Sequence, residues 1–450
     1  MSDLLSIGAS GVRAYQTALS TVGENIANTG VAGYVRRTTQ LREVATTGAR
    51  LGAGMSVEGN GVVVSGIARQ ADVYRSQAVR QSSADLGRTE TSATWLSRIE
   101  SAMTENKLGD RITDFFTSAR NLAADPTSVP SRAVLLEKAQ GAAAAFAQTG
   151  QALSRATAEL DATAKQSVST LNSLGQALAQ VNDGLSRTQP GSSQAAQLAD
   201  QRDQLLEQMS AITDVSAQYD EIGRVQVKLG GASGPTFVAG VETGRVSFLR
   251  NDEGAVNFAV QRAGETNVLT PTGGTLAGVA EGADRLAAAT AKVNTLASSF
   301  VDQVNAVQGK GSDLDGVKGV DLFTPGDPAT AMTLATTDPR KLAAAAAGAP
   351  AGSRDASNLA ALEALRTSGG FETTVTTIVT DNAAALEQKK LVADAQSSIR
   401  DNAIAARDSA SGVDLDTEAV ELLRFQQAYQ ASSRVIQTAR DILQTILDIR

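Results

Sequence analysis

Apolar side chains near the carboxyl end of the chain share one helical face. Leu422, Phe425, Tyr429, Ser432, Ile436, Ala439, Leu443 and Ile446 follow one another at alternating steps of three and four, and Ala428, Val435, Ile442 and Ile449 repeat every seven beside them. A helix with so broad a stripe is built to lie against other helices. The opening residues carry a seam of the same kind: Leu4, Gly8, Gly11, Tyr15, Ala18 and Val22 step four and three, with Leu5, Val12, Leu19 and Ile26 at heptad intervals. The two ends are therefore expected to pair as a coiled coil and to present apolar surface to further copies. A solitary terminal helix would fray until covered. The expected contact residues are Leu5, Val12, Tyr15, Leu19, Val22 and Ile26 from the first helix, and Leu422, Phe425, Tyr429, Val435, Ile436, Ile442, Leu443, Ile446 and Ile449 from the last. Gly8, Gly11, Ala18 and Ala439 allow the helices to approach closely. The competing reading is an ordinary intramolecular pair that closes one domain.

Between these seams the pattern predicts a mainly α chain with a smaller β-rich part, an α+β protein shaped as an elongated multidomain rod. The first helix should run from about Asp3 to Ala27 and stop at Asn28, Thr29 and Gly30, residues that supply turn chemistry. Gly-rich, β-branched residues from Leu51 to Ile67, including Val57 and Val62 to Val64, predict a short extended segment or hairpin. Helix follows over residues 70–123, with Trp95, Leu96, Ile99 and Met103 on one face, a break near Gly109, and Asp125-Pro126 beyond its end. From Phe146 to Leu185 the stripe alternates four and three without a slip, which makes about 60 Å of helix at 1.5 Å per residue.

After a turn at Pro190-Gly191, Leu198 to Leu206 reads as an amphipathic helix with Asp200 and Asp203 facing solvent or pairing locally with Arg202. Residues 215–275 then switch to period two at Val225 to Leu229, Phe237-Val238, Val246 to Phe248 and Val256 to Val260, predicting one small antiparallel sheet. Helix returns over about 281–308. Residues 309–352 are rich in Gly, Pro, Ala and Asp and predict a loop-dominated outer excursion. Helices follow near 357–366 and 372–407. A turn at Ser411 to Asp416 leads into the last helix, where Asp416 or Thr417 is the expected cap and Glu418 lies in the first turn. The expected domains are a terminal coiled coil that orders on assembly (1–35 and 405–450), an elongated helical domain (36–214 and 281–404) and a β-rich domain (215–280).

Composition narrows the chemistry. The chain has 450 residues, a net charge of −8 and no long basic run, so nucleic acid and membrane insertion are not expected. It has no Cys and no His, which removes disulfides, thiolate metal sites, Cys nucleophiles and the usual proton shuttle near neutral pH. Gly59-x-Gly61 lacks the third Gly and the Lys of a phosphate loop. Asp313-Leu314-Asp315-Gly316 hints at a calcium loop, but the matching first and twelfth positions are Gly311 and Leu322, where carboxylates are needed. A solvated turn is the better reading. No catalytic residue, metal or cofactor is expected. The chain opens without a basic-then-apolar leader, so export without a cleaved signal peptide is expected.

Four stretches carry a resemblance. Ala18-Leu19, Asn25-Ile26-Ala27-Asn28, Gly33-Tyr34 and Arg36 form the first, with Gly30-Val31-Ala32 standing where Asn-Thr-Pro is usual. The second is Gly61-Val62, Ile67, Arg69, Asp72, Tyr74, Gln77 and Arg80, and the third runs from Leu198 to Leu206. The fourth comprises Gly412 to Ala419, Leu423, Phe425 to Ala431 and Arg434 to Thr438. Together they resemble the bacterial flagellar rod, hook and hook-associated axial proteins, and the last two resemble hook-associated members more than hook or rod subunits. Asn25, Asn28, Gly33 and Tyr34 fall in the family's signature turn. The resemblance implies a non-enzymatic structural subunit of the extracellular flagellum, at the junction between hook and filament. It implies as partners further copies of the chain, the hook protein, a second hook-associated junction protein beside the filament, and a cytoplasmic export chaperone on the C-terminal helix. The alternatives are a hook or distal-rod subunit and, in a different class, a free secreted helical adhesin or effector.

Overall fold

The computed structural model describes residues 2–31, 33–44, 61–251 and 254–448, and it is 65% helical. The chain opens with α1 (Ser2–Ala27), followed by β1 (Arg37–Glu43) and β2 (Val62–Arg69). These strands pair antiparallel, with a register shift between Gln40 and Leu41. The predicted extended segment is therefore half of a hairpin whose other half, β1, gave no period-two signal. Val57 and Gly59 lie outside the described residues.

Four helices follow: α2 (Val73–Thr104), α3 (Leu108–Leu122), α4 (Val129–Arg187) and α5 (Ser193–Ile212). The break between α2 and α3 falls at Lys107, which takes the left-handed conformation (φ 49°), and not at Gly109, which lies inside α3. With 59 residues, α4 is about 90 Å long and acts as the spine of the molecule. On its stripe Leu135, Phe146, Leu153, Leu160, Leu171 and Leu178 are fully buried.

The β region holds two antiparallel sheets rather than the single one expected. One is β3 (Val215–Tyr219), β4 (Val225–Leu229), β5 (Thr236–Ala239) and β6 (Glu242–Thr243), and the other is β7 (Arg245–Arg250), β8 (Val256–Arg262) and β9 (Glu265–Leu269). The physical reason lies on α4, where two asparagines each grip a different sheet. The Asn182 amide donates to the Val225 and Gly240 carbonyls (2.9 and 2.8 Å) and accepts from the Val225 N–H (2.9 Å). Asn172 donates to the Val246 carbonyl at 3.0 Å and accepts from its N–H at 2.7 Å.

The remaining helices are α6 (Gly274–Gln308), α7 (Ser357–Gly369), α8 (Phe371–Ser411) and α9 (Leu415–Asp448). Among the described residues no helix is long and apolar enough to cross a membrane. The stretch 309–352 is loop-rich, with two short strand pairs (Gly311–Ser312 with Ala345–Ala346, and Phe323–Thr324 with Thr333–Leu334). It does not stand apart as an outer excursion, because Leu322, Phe323, Met332 and Leu342 are buried in the main core. Phe323 lies 5.4 Å from Phe300, which also meets Phe115 (5.5 Å), Phe146 (5.6 Å) and Phe371 (5.2 Å). Such aromatic clusters contribute beyond their buried area.

Two turns differ in detail from what was expected. Asp313 is buried, and its carboxylate accepts from the Asp315 and Val317 N–H groups, both at 2.9 Å. The cap of α9 is Asp414, which accepts from the Thr417 N–H at 2.8 Å, and not Asp416 or Thr417.

The apolar interior falls into two clusters. The larger runs through α2 to α8 and both sheets. The smaller joins Ala18, Val22 and Phe425, flanked by Tyr15, Leu19, Ile26, Leu41 and Leu422. The terminal helices thus form a second packing unit with its own small core.

Candidate assembly interface and its joint

Helices α1 and α9 run antiparallel. A Cβ added at Gly8 would lie 2.7 Å from Ile436 Cγ1, and one at Gly11 would lie 2.6 Å from Ser432 Oγ. Further along, the Tyr15 and Phe425 rings are 6.3 Å apart. At the far end the Asn25 amide donates to Glu418 at 2.9 Å. The small residues of the seam therefore do what their size allows, bringing the two backbones together.

Of the expected contact residues, Val22 and Phe425 are buried, and Leu5, Val12, Tyr15, Leu19, Ile26, Leu422, Tyr429 and Ile436 are half-buried, with Tyr15, Leu19, Ile26 and Leu422 packed against the small core. Val435, Ile442 and Leu443 are exposed (38%, 39% and 43%), as are Val420 and Leu423 (65% and 58%). The fold of one chain covers the inner stripe and leaves these side chains uncovered. The Ile446 side chain and all of Ile449 lie outside the described residues.

The signature turn is organised by Asn25, which is fully buried and uses its whole amide. Its nitrogen donates to the Arg37 carbonyl (2.8 Å) and to Glu418 (2.9 Å), and its oxygen accepts from the Tyr34 hydroxyl (2.9 Å) and the Arg37 N–H (3.0 Å). Asn28 closes α1 by donating to the Glu24 carbonyl at 2.8 Å. Gly33 has φ +78°, and a side chain there would collide with the Gln204 amide on α5.

Below this turn lies a layer of charge. Arg37 donates to Asp200 on α5 (2.8 Å) and to Glu24 on α1 (3.2 Å), and its guanidinium sits 4.8 Å from the Tyr34 ring centroid. Arg69, at the end of β2, donates to both Asp200 and Asp203 at 2.8 Å. Arg36 donates to Glu418 at 2.6 Å. Arg407 on α8 also pairs with Glu207 on α5. The solvent-facing alternative is corrected for Asp200, which is buried because two arginines from the hairpin reach it, while Asp203 is half-buried and makes the expected local pair with Arg202 at 2.6 Å. Glu418 lies in the first turn of α9, as expected, and is fully buried. Burial pushes the Asp200 carboxyl above its ordinary range, with Arg69 and Arg37 pulling the other way. Burial also pushes the Tyr34 hydroxyl up to about 12, against the opposing effect of Arg37.

Local pattern could not have found Arg37, Asp200 or Glu418 in these roles, since each partner is remote in sequence. Arg36, Arg69, Asp200, Asp203 and Glu418 do lie in the stretches that carried the family resemblance, whereas Arg37 does not. A cleft of about 630 Å³ opens beside the joint, lined by Glu24, Asn28, Tyr34, Arg37, Asp200 and Gln204 among others. Among the described residues no cluster of three or more carboxylates forms a metal site.

A long helical body, with its two chain ends returned to one place and paired and apolar side chains left uncovered, is the architecture of this chain. Comparison with known proteins gives its family. The family model described as "Flagellar hook-associated protein FlgK helical domain" matches residues 96–323, and "Flagellar basal body rod FlgEFG protein C-terminal" matches residues 406–449. Flagellar hook-associated protein 1 of Salmonella typhimurium is 31% identical over 345 residues, covering 73% of this chain and 60% of that one. The protein of the same name in Bacillus subtilis is 24% identical over 489 residues, covering 97% and 96%. In three dimensions the flagellar hook junction protein FlgK from Burkholderia pseudomallei superposes with a TM-score of 0.66 at 16% identity, over 74% of this chain and all of that one. The chain belongs to the flagellar hook-associated protein 1 (FlgK) family. It spans about 60% of the length of the Salmonella relative.

Proposed function

We propose that this protein is a structural subunit of the bacterial flagellum, outside the cell, that joins hook to filament. It acts by assembly and not by catalysis. Copies pack side by side through the paired terminal helices, the hook protein lies on one side, and a second hook-associated junction protein lies on the filament side. Before export, a cytoplasmic chaperone covers the C-terminal helix. The observation that carries this reading is the stripe of Val420, Leu423, Val435 and Ile442, left exposed on a helix already paired with the other end of its own chain. An apolar ridge of this kind is covered at low cost only by another helix.

In this reading the terminal domain, 1–35 with 405–450, completes its order on assembly, and the β-rich part 215–280 lies outermost. Hydrogen exchange on the dilute full-length protein tests the first point: α1 and α9 should exchange faster than α4, and equal protection would overturn it. Electron microscopy of cells lacking the protein tests the role. Hooks without filaments support the junction, and cells without hooks overturn it in favour of a hook or distal-rod subunit. That second reading is kept because residues 406–449 match a model named for rod proteins.

A further inference from the structure

We infer that Glu418 is the positioning residue that selects the register between the two terminal helices. The heptad seams cannot select it alone. A slip of seven residues would set Gly8 against Leu443 in place of Ile436 and Gly11 against Ala439 in place of Ser432, a small residue still facing one that packs. Tyr15 would trade Phe425 for Ser432 and its neighbour Ile436, and Phe425 would leave Ala18 and Val22. The small-against-large pairing at Gly8 and Gly11 survives the slip, so the glycine seam does not choose between the two registers.

The polar end does not survive it. In the observed register the Glu418 carboxylate is fully buried and held by the Asn25 amide at 2.9 Å and the Arg36 guanidinium at 2.6 Å. After the slip Asn25 would face Phe425, and Glu418 would pass beyond the end of α1 without either partner. A buried polar group in an otherwise repetitive seam is the known means of choosing one register among several. Glu418 is well placed for this because Asn25 is itself held from outside α9, by the Tyr34 hydroxyl and the Arg37 N–H. The register in turn decides where Val420, Leu423, Val435 and Ile442 are presented to a neighbour. Only that last consequence rests on the assembly reading above.

The chain has no cysteine, so introduced pairs report register without background. Gly11→Cys with Ser432→Cys reads the observed register, since a Cβ at Gly11 lies 3.1 Å from the Ser432 Cβ, and the helices need part by only a few tenths of an ångström to reach the roughly 3.5–4.5 Å of a disulfide. Gly11→Cys with Ala439→Cys reads the slipped one. In the isolated full-length protein, oxidation should give only the first crosslink with native Glu418 and with Glu418→Gln, which keeps the polar demand. With Glu418→Leu, helical circular dichroism should persist while the slipped crosslink rises at the expense of the first. The inference is overturned if Glu418→Leu gives the first crosslink alone. It is equally overturned if Glu418→Leu abolishes the terminal helices, since the residue would then serve folding and not choice of register. Neither result depends on where in the flagellum the protein sits, so a failure of the junction reading is read separately, by the microscopy.

Discussion

Arg37 on β1 and Asp200 on α5 meet at 2.8 Å across 163 positions of sequence. The pair is buried on both sides, with side-chain exposures of 7% and 9%, and Arg69 grips the same carboxylate. It fastens the terminal packing unit to the helical body through charge, where the two apolar clusters do not merge. Removing one member of a buried pair leaves the other uncompensated, at a cost of roughly 3–5 kcal/mol. Asp200→Ala strands two guanidiniums and should lower the urea midpoint by a corresponding amount, with Asp200→Asn less severe. An unchanged midpoint for Asp200→Ala would show that the joint bears no strain of this kind.

Close approach at Gly8 makes a second prediction. Its missing Cβ would sit 2.7 Å from Ile436 Cγ1, so Gly8→Ala should cost about 1–3 kcal/mol by overpacking. The loss should be confined to α1 and α9, seen as faster hydrogen exchange there with α4 unchanged. Gly23, by contrast, has nothing within 4 Å of its Cβ direction, and Gly23→Ala should be neutral or mildly stabilising through helix propensity.

Alkaline pH should loosen the signature turn. Tyr34 is neutral when protonated, and its pKa rises from 10.0 to about 12 on folding because of burial. Above pH 10 the unfolded chain gives up this proton while the folded chain keeps it, so the folded state binds more protons and stability falls as pH rises from 10 toward 12. The contribution is complete below pH 10. Ultraviolet titration should show a tyrosine ionising near pH 12 that disappears in Tyr34→Phe, and that variant should lose less stability over the same interval. A Tyr34→Phe titration identical to that of the native chain would contradict the assignment.

The uncovered stripe gives a fourth prediction. Val435 and Ile442 are exposed in the single chain, so Val435→Ser with Ile442→Ser should leave the monomer's thermal unfolding within about 0.5 kcal/mol of native. Motility, in contrast, should fall or be lost, with the protein found in the medium and not on hooks. Full motility of the double variant would remove these residues from the interface.

Much of the architecture was already written in periodicity. The long stripe of α4, the terminal seams and the small residues Gly8, Gly11, Ala18 and Ala439 are local patterns, and a helix repeats them wherever it goes. The two sheets look like one in the sequence because the division is imposed from outside, by Asn172 and Asn182 on α4. The Gly- and Pro-rich stretch 309–352 looks like an excursion because nothing local shows that Phe300 and Phe115 receive its one aromatic side chain, Phe323.

The sequence by itself determined the helices, their apolar faces and the presence of paired ends, since each depends on side chains a few residues apart. Only the tertiary structure decided that Asp200 and Glu418 are buried partners of Arg36, Arg37 and Arg69 and not a solvated surface. A carboxylate's neighbours along the chain are the same whether it faces water or a guanidinium. What differs is the electrostatic environment, and that is set by residues brought together from opposite ends of the molecule.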